Sequence, residues 1–123
     1  LWDWINVDDD GSRVENFVAS HLLKAVNYWT DCGLGQYALW FIRDKEKHEV
    51  DFLVSRDNNP WFLVEVKTSS KVGISKNLAY FQNKIKTKHA FQVAFDMEYI
   101  SKDCFKHTAP IIVPARTFLT QLV

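Results

Sequence analysis

The chain is 123 residues long, 47% hydrophobic and 15% aromatic, which is enough for one domain with a single core. Its formal net charge is zero, which argues against a general nucleic-acid binder. Its longest apolar run is the stretch Tyr37, Ala38, Leu39, Trp40, Phe41, Ile42, far below the ~20 residues of a membrane-spanning helix, and no secretory signal pattern opens the chain, so a cytoplasmic location is expected.

Leu1, Trp2 and Trp4 bring apolar surface to the N-terminus, where it wants a partner, and the chain reads as a fragment of something longer. After the acidic run Asp8, Asp9, Asp10 and Gly11, residues Val14, Phe17, Val18, His21, Leu22, Ala25, Val26 and Trp29 recur at the spacing of one helix face, predicting a first helix over about 12–30. Asp10 or Ser12 suits its N-cap, Glu15 stands where a capping box would place it, and Gly33 suits its end.

The period then changes. Segments 36–43, 48–56 and 61–68 are rich in Phe, Trp, Val and Leu and are separated by polar clusters, so they read as three consecutive strands of a meander. The first turn falls on 44–47, and the second on Asp57, Asn58, Asn59 and Pro60, residue types that supply turn backbone angles. A second helix is expected over about 75–88 with Leu78, Phe81 and Ile85 as its stripe. Strands at 91–95 and 111–113 and a terminal helix over 116–122 complete the order. The fold class is α/β, a mixed sheet beginning with an antiparallel meander and flanked by helices, in one domain spanning 1–123.

Charge is unevenly spread. Residues 1–66 hold twelve acidic and six basic side chains, whereas residues 67–123 hold nine basic and three acidic ones. Lys67, Lys71, Lys76, Lys84, Lys86 and Lys88 occur with no acid among them, so this stretch either meets phosphates or forms a solvated face against the acidic half. Cys32 and Cys104 are too few for a disulfide framework or thiolate zinc site and read as reduced bystanders. His21, His48, His89 and His107 follow no ligand spacing, and Gly33, Leu34, Gly35 lacks the remainder of a phosphate loop.

Four charges sit within otherwise apolar strands. Glu49 and Asp51 share one face of the second strand, and Glu65 and Lys67 one face of the third. If the intervening loop is centred on Asn58, Asp51 stands opposite Glu65 and Glu49 opposite Lys67; a slip of one residue would scatter them. Charges among apolar residues are costly unless paired or metal-bound. Two carboxylates about 5 Å apart repel, yet they seat a hard cation such as Mg²⁺. The Lys67 ammonium beside them can orient a water or offset charge on a phosphate. Glu15 lies about 20° from Leu22 and about 60° from Val18 around a helix, inside the apolar arc, so its carboxylate either points inward to a metal or Lys67, or caps the helix start.

The ordered phrases R-V-E-N-F-V-A with Glu15, H-E-V-D-F with Asp51 and V-E-V-K-T-S with Glu65 and Lys67 resemble the PD-(D/E)xK nuclease superfamily. Within it, the chain most resembles the uncharacterised domain C-terminal to the ATPase module of bacterial and archaeal AAA+ proteins, over residues 12–70 above all. The resemblance implies a restriction-endonuclease-like core, Mg²⁺ or Mn²⁺ as cofactor, and a catalytic set of Asp51, Glu65 and Lys67 with Glu15 beside it. Asp51, Glu65 and Glu15 would be the metal ligands. It also implies an ATPase upstream on the same polypeptide. Val50 stands where the superfamily name has Pro, and Tyr80 and Gln82 do not follow the Gln-then-Tyr order of some relatives. Two functions are therefore expected: a metal-dependent nuclease that cuts DNA, with Lys71, Lys76, Lys84, Lys86 and Lys88 as phosphate contacts, or a catalytically silent nucleic-acid- or partner-binding accessory module of the ATPase.

Overall fold

A computed structural model describes residues 10–43, 49–69, 71, 73–101 and 103–122, the first of these stretches in side-chain detail from 13 to 42. The aromatic start at Leu1, Trp2 and Trp4, the cap side chains of Asp10 and Ser12, and the turn at 44–47 lie outside that description. Helix α1 spans Asp10–Asp31, followed by strands β1 (Tyr37–Arg43), β2 (Glu49–Arg56) and β3 (Asn59–Lys67). Helix α2 (Lys76–Phe81), strand β4 (His89–Ala94), strand β5 (Ile111–Pro114) and helix α3 (Ala115–Leu119) complete the chain. The sheet runs in the order β1-β2-β3-β4-β5, with β1 to β3 antiparallel and β3, β4 and β5 parallel. This is the mixed α/β sheet with an opening meander that the residue pattern predicts. No helix among the described residues is long and apolar enough to cross a membrane.

The predicted apolar stripe of α1 is buried at Val18, Leu22, Ala25 and Val26. The helix ends where Gly33 adopts φ 78°, with the Gly33 N–H donating to the Thr30 carbonyl and the Leu34 N–H to that of Trp29. That pair of bonds satisfies carbonyls that the helix itself leaves open, and only glycine enters this backbone region without strain.

Two apolar layers sandwich the sheet. On one face Phe52, Val54, Phe62, Val64, Val66, Phe91 and Val93 pack with α1 and with Phe118 of α3. On the other, Val50, Leu53, Leu63 and Ala90 pack with Leu78 and Phe81 of α2. Each fully buried Phe, Leu or Val contributes roughly 1.5–3 kcal/mol. Trp29 joins Tyr37 and Trp61 in a ring cluster with centroids 5.1 to 5.7 Å apart, and its Nε1–H donates to the Leu122 carbonyl, tying α1 to the C-terminal turn.

The second helix is shorter than predicted. The α-helix stops at Phe81 and continues as one π-helical turn, Gln82–Lys86, where Lys86 takes φ 63° and turns the chain into β4. Leu78 and Phe81 face the sheet as expected, but the apolar period cannot distinguish four-residue from five-residue hydrogen-bond steps. A short 3-10 turn, Cys104–Lys106, lies in the β4–β5 crossover and has no counterpart in the predicted order. Cys32 is exposed and Cys104 buried, and neither forms a disulfide with a described residue.

Candidate functional site

The hairpin between β2 and β3 decides which side chains meet. Its turn consists of Asp57 at φ 51° and Asn58 at φ 66°, the left-handed pair that a two-residue hairpin turn needs and that Asp and Asn tolerate best. Next to the turn, Arg56 faces Asn59 and Ser55 faces Pro60; then the register shifts, so that Val54 faces Phe62, Leu53 faces Leu63 and Phe52 faces Val64. Trp61 is the extra residue. This bulge sends Leu63 and Glu65 to the side of Leu53, and Val64 to the side of Phe52. Without it every residue of β3 beyond Trp61 would be turned over.

A second bulge lies on the other flank of β2. Trp40 pairs with Leu53, but Ile42 pairs with Val50, so Phe41 alone opposes both Asp51 and Phe52. Asp51 thus sits at a break in the β1–β2 ladder, and the β2–β3 ladder also ends before it, at Phe52 and Val64. The predicted side-by-side pairing of Asp51 with Glu65 and of Glu49 with Lys67 is therefore not part of the ladder. Instead the Asp51 Oδ2 accepts the main-chain N–H of Val66 at 2.7 Å, occupying the donor next to Glu65.

The electrostatics follow. Burial pushes the Asp51 carboxyl up to about 7, the Val66 N–H pulls it down, Glu15 and then Glu65 raise it, and Lys67 lowers it. Glu15, Glu65 and Lys67 therefore each lie within electrostatic reach of Asp51. Glu65 is only 7% exposed; its Oε1 is 3.8 Å from the Lys67 ammonium, and its Oε2 is buried without a hydrogen-bond partner among the described residues. Glu15, half-buried on α1, lines a concavity of about 340 Å³ together with Glu49, Val50 and Asp51.

Whether these groups suit a divalent cation turns on their chemistry. All the donors are hard oxygens, one of them unsatisfied among the described residues, and burial first, with repulsion from Glu15 and Glu65 behind it, disfavours ionisation of Asp51. Among the described residues no three His, Cys, Asp or Glu side chains stand close enough together to enclose an ion. Mg²⁺ retains several waters and is held by one or two carboxylates, so an acidic pair meets its demand.

The remaining expected residues lie apart. Lys71, Lys76, Lys84, Lys86 and Lys88 are all exposed, and the Lys84 ammonium donates to the Tyr80 hydroxyl at 3.2 Å. Gln82 donates from Nε2 to the Thr108 carbonyl and so secures the crossover before β5. His89 is buried and bonded through Nδ1 to the His107 carbonyl, a structural histidine. Two groups at the site escaped the residue pattern: the Val66 N–H, invisible to any side-chain motif, and Gln92, which pairs with Glu65 in the β3–β4 ladder. Gln92 is a polar residue in an otherwise buried strand, and that was the available signal.

The chain belongs to a family defined as a domain of unknown function, DUF4143, whose family model matches residues 10–112. That match takes in α1, β1 to β4 and every residue of the acidic cluster with its lysine. No curated protein and no solved structure matches the chain.

Proposed function

We propose that this domain is a metal-dependent, nuclease-like module of the PD-(D/E)xK kind, carried by an AAA+ ATPase, and that it hydrolyses DNA phosphodiester bonds at Asp51, Glu65, Lys67 and Glu15. One observation carries the reading: the Glu65 Oε2, buried and without a hydrogen bond from the described residues, within electrostatic reach of a second acid that burial and like charge already push up to about 7. An unsatisfied buried polar atom costs roughly 1–3 kcal/mol, and a ligand in the gap supplies the reason to keep it. Asp51 and Glu65 would hold Mg²⁺ or Mn²⁺ with waters completing its shell, and Glu15 would contribute from α1 through such a water rather than as a third direct ligand. When bound, the ion would supply Lewis-acid polarisation of the phosphoryl group and a more acidic water. Lys67, kept near Glu65, orients the attacking water or offsets charge growing on the phosphate. The exposed lysines from Lys71 to Lys88 meet backbone phosphates.

The raised Asp51 carboxyl also supports a rival, in which a proton rather than a cation relieves the pair and the domain is a silent accessory module binding nucleic acid or a partner. Thermal melts with Mg²⁺ or Mn²⁺ separate the two. The nuclease reading expects stabilisation that Asp51→Ala and Glu65→Ala abolish, together with plasmid cleavage lost in Lys67→Ala. Melting unaffected by either metal would leave only the accessory module.

A further inference from the structure

Gln92 stands beside this cluster and has no role in the chemistry proposed for it. Its ladder pairing with Glu65 makes its side chain leave the same face of the sheet, and it is fully buried. A buried amide next to a buried carboxylate is the natural donor to it. Here the amide is engaged elsewhere: Oε1 accepts the Ser75 N–H at 2.8 Å, and Nε2 donates to the Gly73 carbonyl at 3.1 Å. Both partners are main chain on the approach to α2, where Ser75 has no side-chain cap bond. The Glu65 Oε2 meanwhile receives no hydrogen bond from the described residues.

We propose that Gln92 is the positioning residue of the cluster. It clamps the backbone at Gly73 and Ser75 against the face that Glu65 shares, and the amide orientation fixed by these two bonds makes no hydrogen bond to the Glu65 Oε2, which stays open to a cation. This rests on the metal-site reading of the cluster. With the clamp released, water or a freed main-chain N–H reaches Glu65 and competes with the ion, and the carboxylate loses its fixed orientation.

The test uses the full chain, with the Mn²⁺ dissociation constant from calorimetric titration and amide hydrogen exchange at Ser75 as readouts. Gln92→Leu removes both clamp bonds. Ser75→Pro removes only the N–H, at a backbone φ of −61° that proline adopts, and Ser75→Ala retains it. Gln92→Leu and Ser75→Pro are expected to weaken Mn²⁺ binding by about 10-fold or more, with Ser75→Ala unchanged and Ser75 exchange accelerated in Gln92→Leu. A purely structural role predicts a lower melting temperature with unaltered Mn²⁺ affinity, and that result overturns the inference. Should Gln92→Leu not fold, the Ser75→Pro and Ser75→Ala comparison decides alone. If wild-type protein binds Mn²⁺ and both clamp variants bind equally well, only the role of Gln92 fails; if wild type binds none, the metal-site reading fails and takes this inference with it.

Discussion

Asp51→Asn isolates the charge at the centre of the cluster. In the folded chain burial, then Glu15 and Glu65, push the Asp51 carboxyl from its ordinary 3.8 up to about 7, against the pull of the Val66 N–H and Lys67. Between those values the folded state holds one more proton than the unfolded state, so stability is full below about pH 4, falls as pH rises, and is lost by about pH 7. At about 1.4 kcal/mol per pH unit, the ionised carboxylate costs the fold about 4 kcal/mol. Asparagine keeps an oxygen for the Val66 N–H and carries no charge. The stability of Asp51→Asn relative to wild type should therefore start near zero at pH 4 and climb to about 4 kcal/mol by pH 8. With a urea slope of about 2 kcal/mol per molar, that is a midpoint about 2 M higher. Urea unfolding followed by fluorescence of the five tryptophans, at unit steps from pH 4 to pH 8, measures the gap directly, and other carboxylates cancel in the difference. A gap that stays constant across this window would refute the idea that the Asp51 carboxyl is held protonated by its buried, like-charged surroundings. Saturating Mn²⁺ at pH 8 should narrow the gap by stabilising wild type, since the cation then does what the proton does at low pH.

Glu65→Gln removes a buried charge whose one partner among the described residues is Lys67, so apo stability at pH 8 should rise or hold steady while the Mn²⁺-induced melting shift disappears; a retained shift would remove Glu65 from the ligand set. Lys67→Met should keep Mn²⁺ binding and lose plasmid cleavage by roughly 100-fold or more, and nicking at the wild-type rate would clear Lys67 of any part in the chemistry. Asn58→Val forces a β-branched residue into φ 66° and should cost about 1–2 kcal/mol in a urea melt, with Asn58→Gly close to neutral. Phe62→Ala, at a fully buried position ringed by Phe91, Phe105 and Phe118, should cost about 3–5 kcal/mol and leave the pH dependence of Asp51 intact.

Much of the architecture is legible because periodicity reports burial. The stripe Val18, Leu22, Ala25 and Val26 defines α1, and Glu15 stands out as an acid within its arc. The apolar runs of β2 and β3 likewise expose Asp51 and Glu65 as misfits, since a charge in a strand whose neighbours are all buried needs a reason. What periodicity does not carry is a departure from it. A hairpin centred on Asn58 predicts the facing of Val54 with Phe62 and of Phe52 with Val64, but the chain arrives there by a different route, a two-residue turn plus a bulge at Trp61. The two errors of detail cancel: a shorter loop shifts the parity once and the bulge shifts it back. No residue type at Trp61 announces the bulge, because the side chain is held by rings from α1, β1 and the crossover, contacts remote in sequence.

The same limit explains Asp51. Alternation alone places it squarely on one face, whereas the bulge opposite Phe41 and the end of the β2–β3 ladder free it to take a main-chain donor. Bulges re-aim side chains at the ends of pairing, and here one includes Asp51 itself, an acid whose carboxyl is driven towards neutrality, while the other lies further along the same hairpin. A ladder carried on in the same register past Phe52 and Val64 would have faced Asp51 and Glu65 as a repelling pair. Ending the ladder one residue earlier keeps Asp51 bonded to the backbone and out of a direct ladder pair with Glu65, so the irregularities that sequence patterns cannot resolve are the features on which the proposed metal site depends.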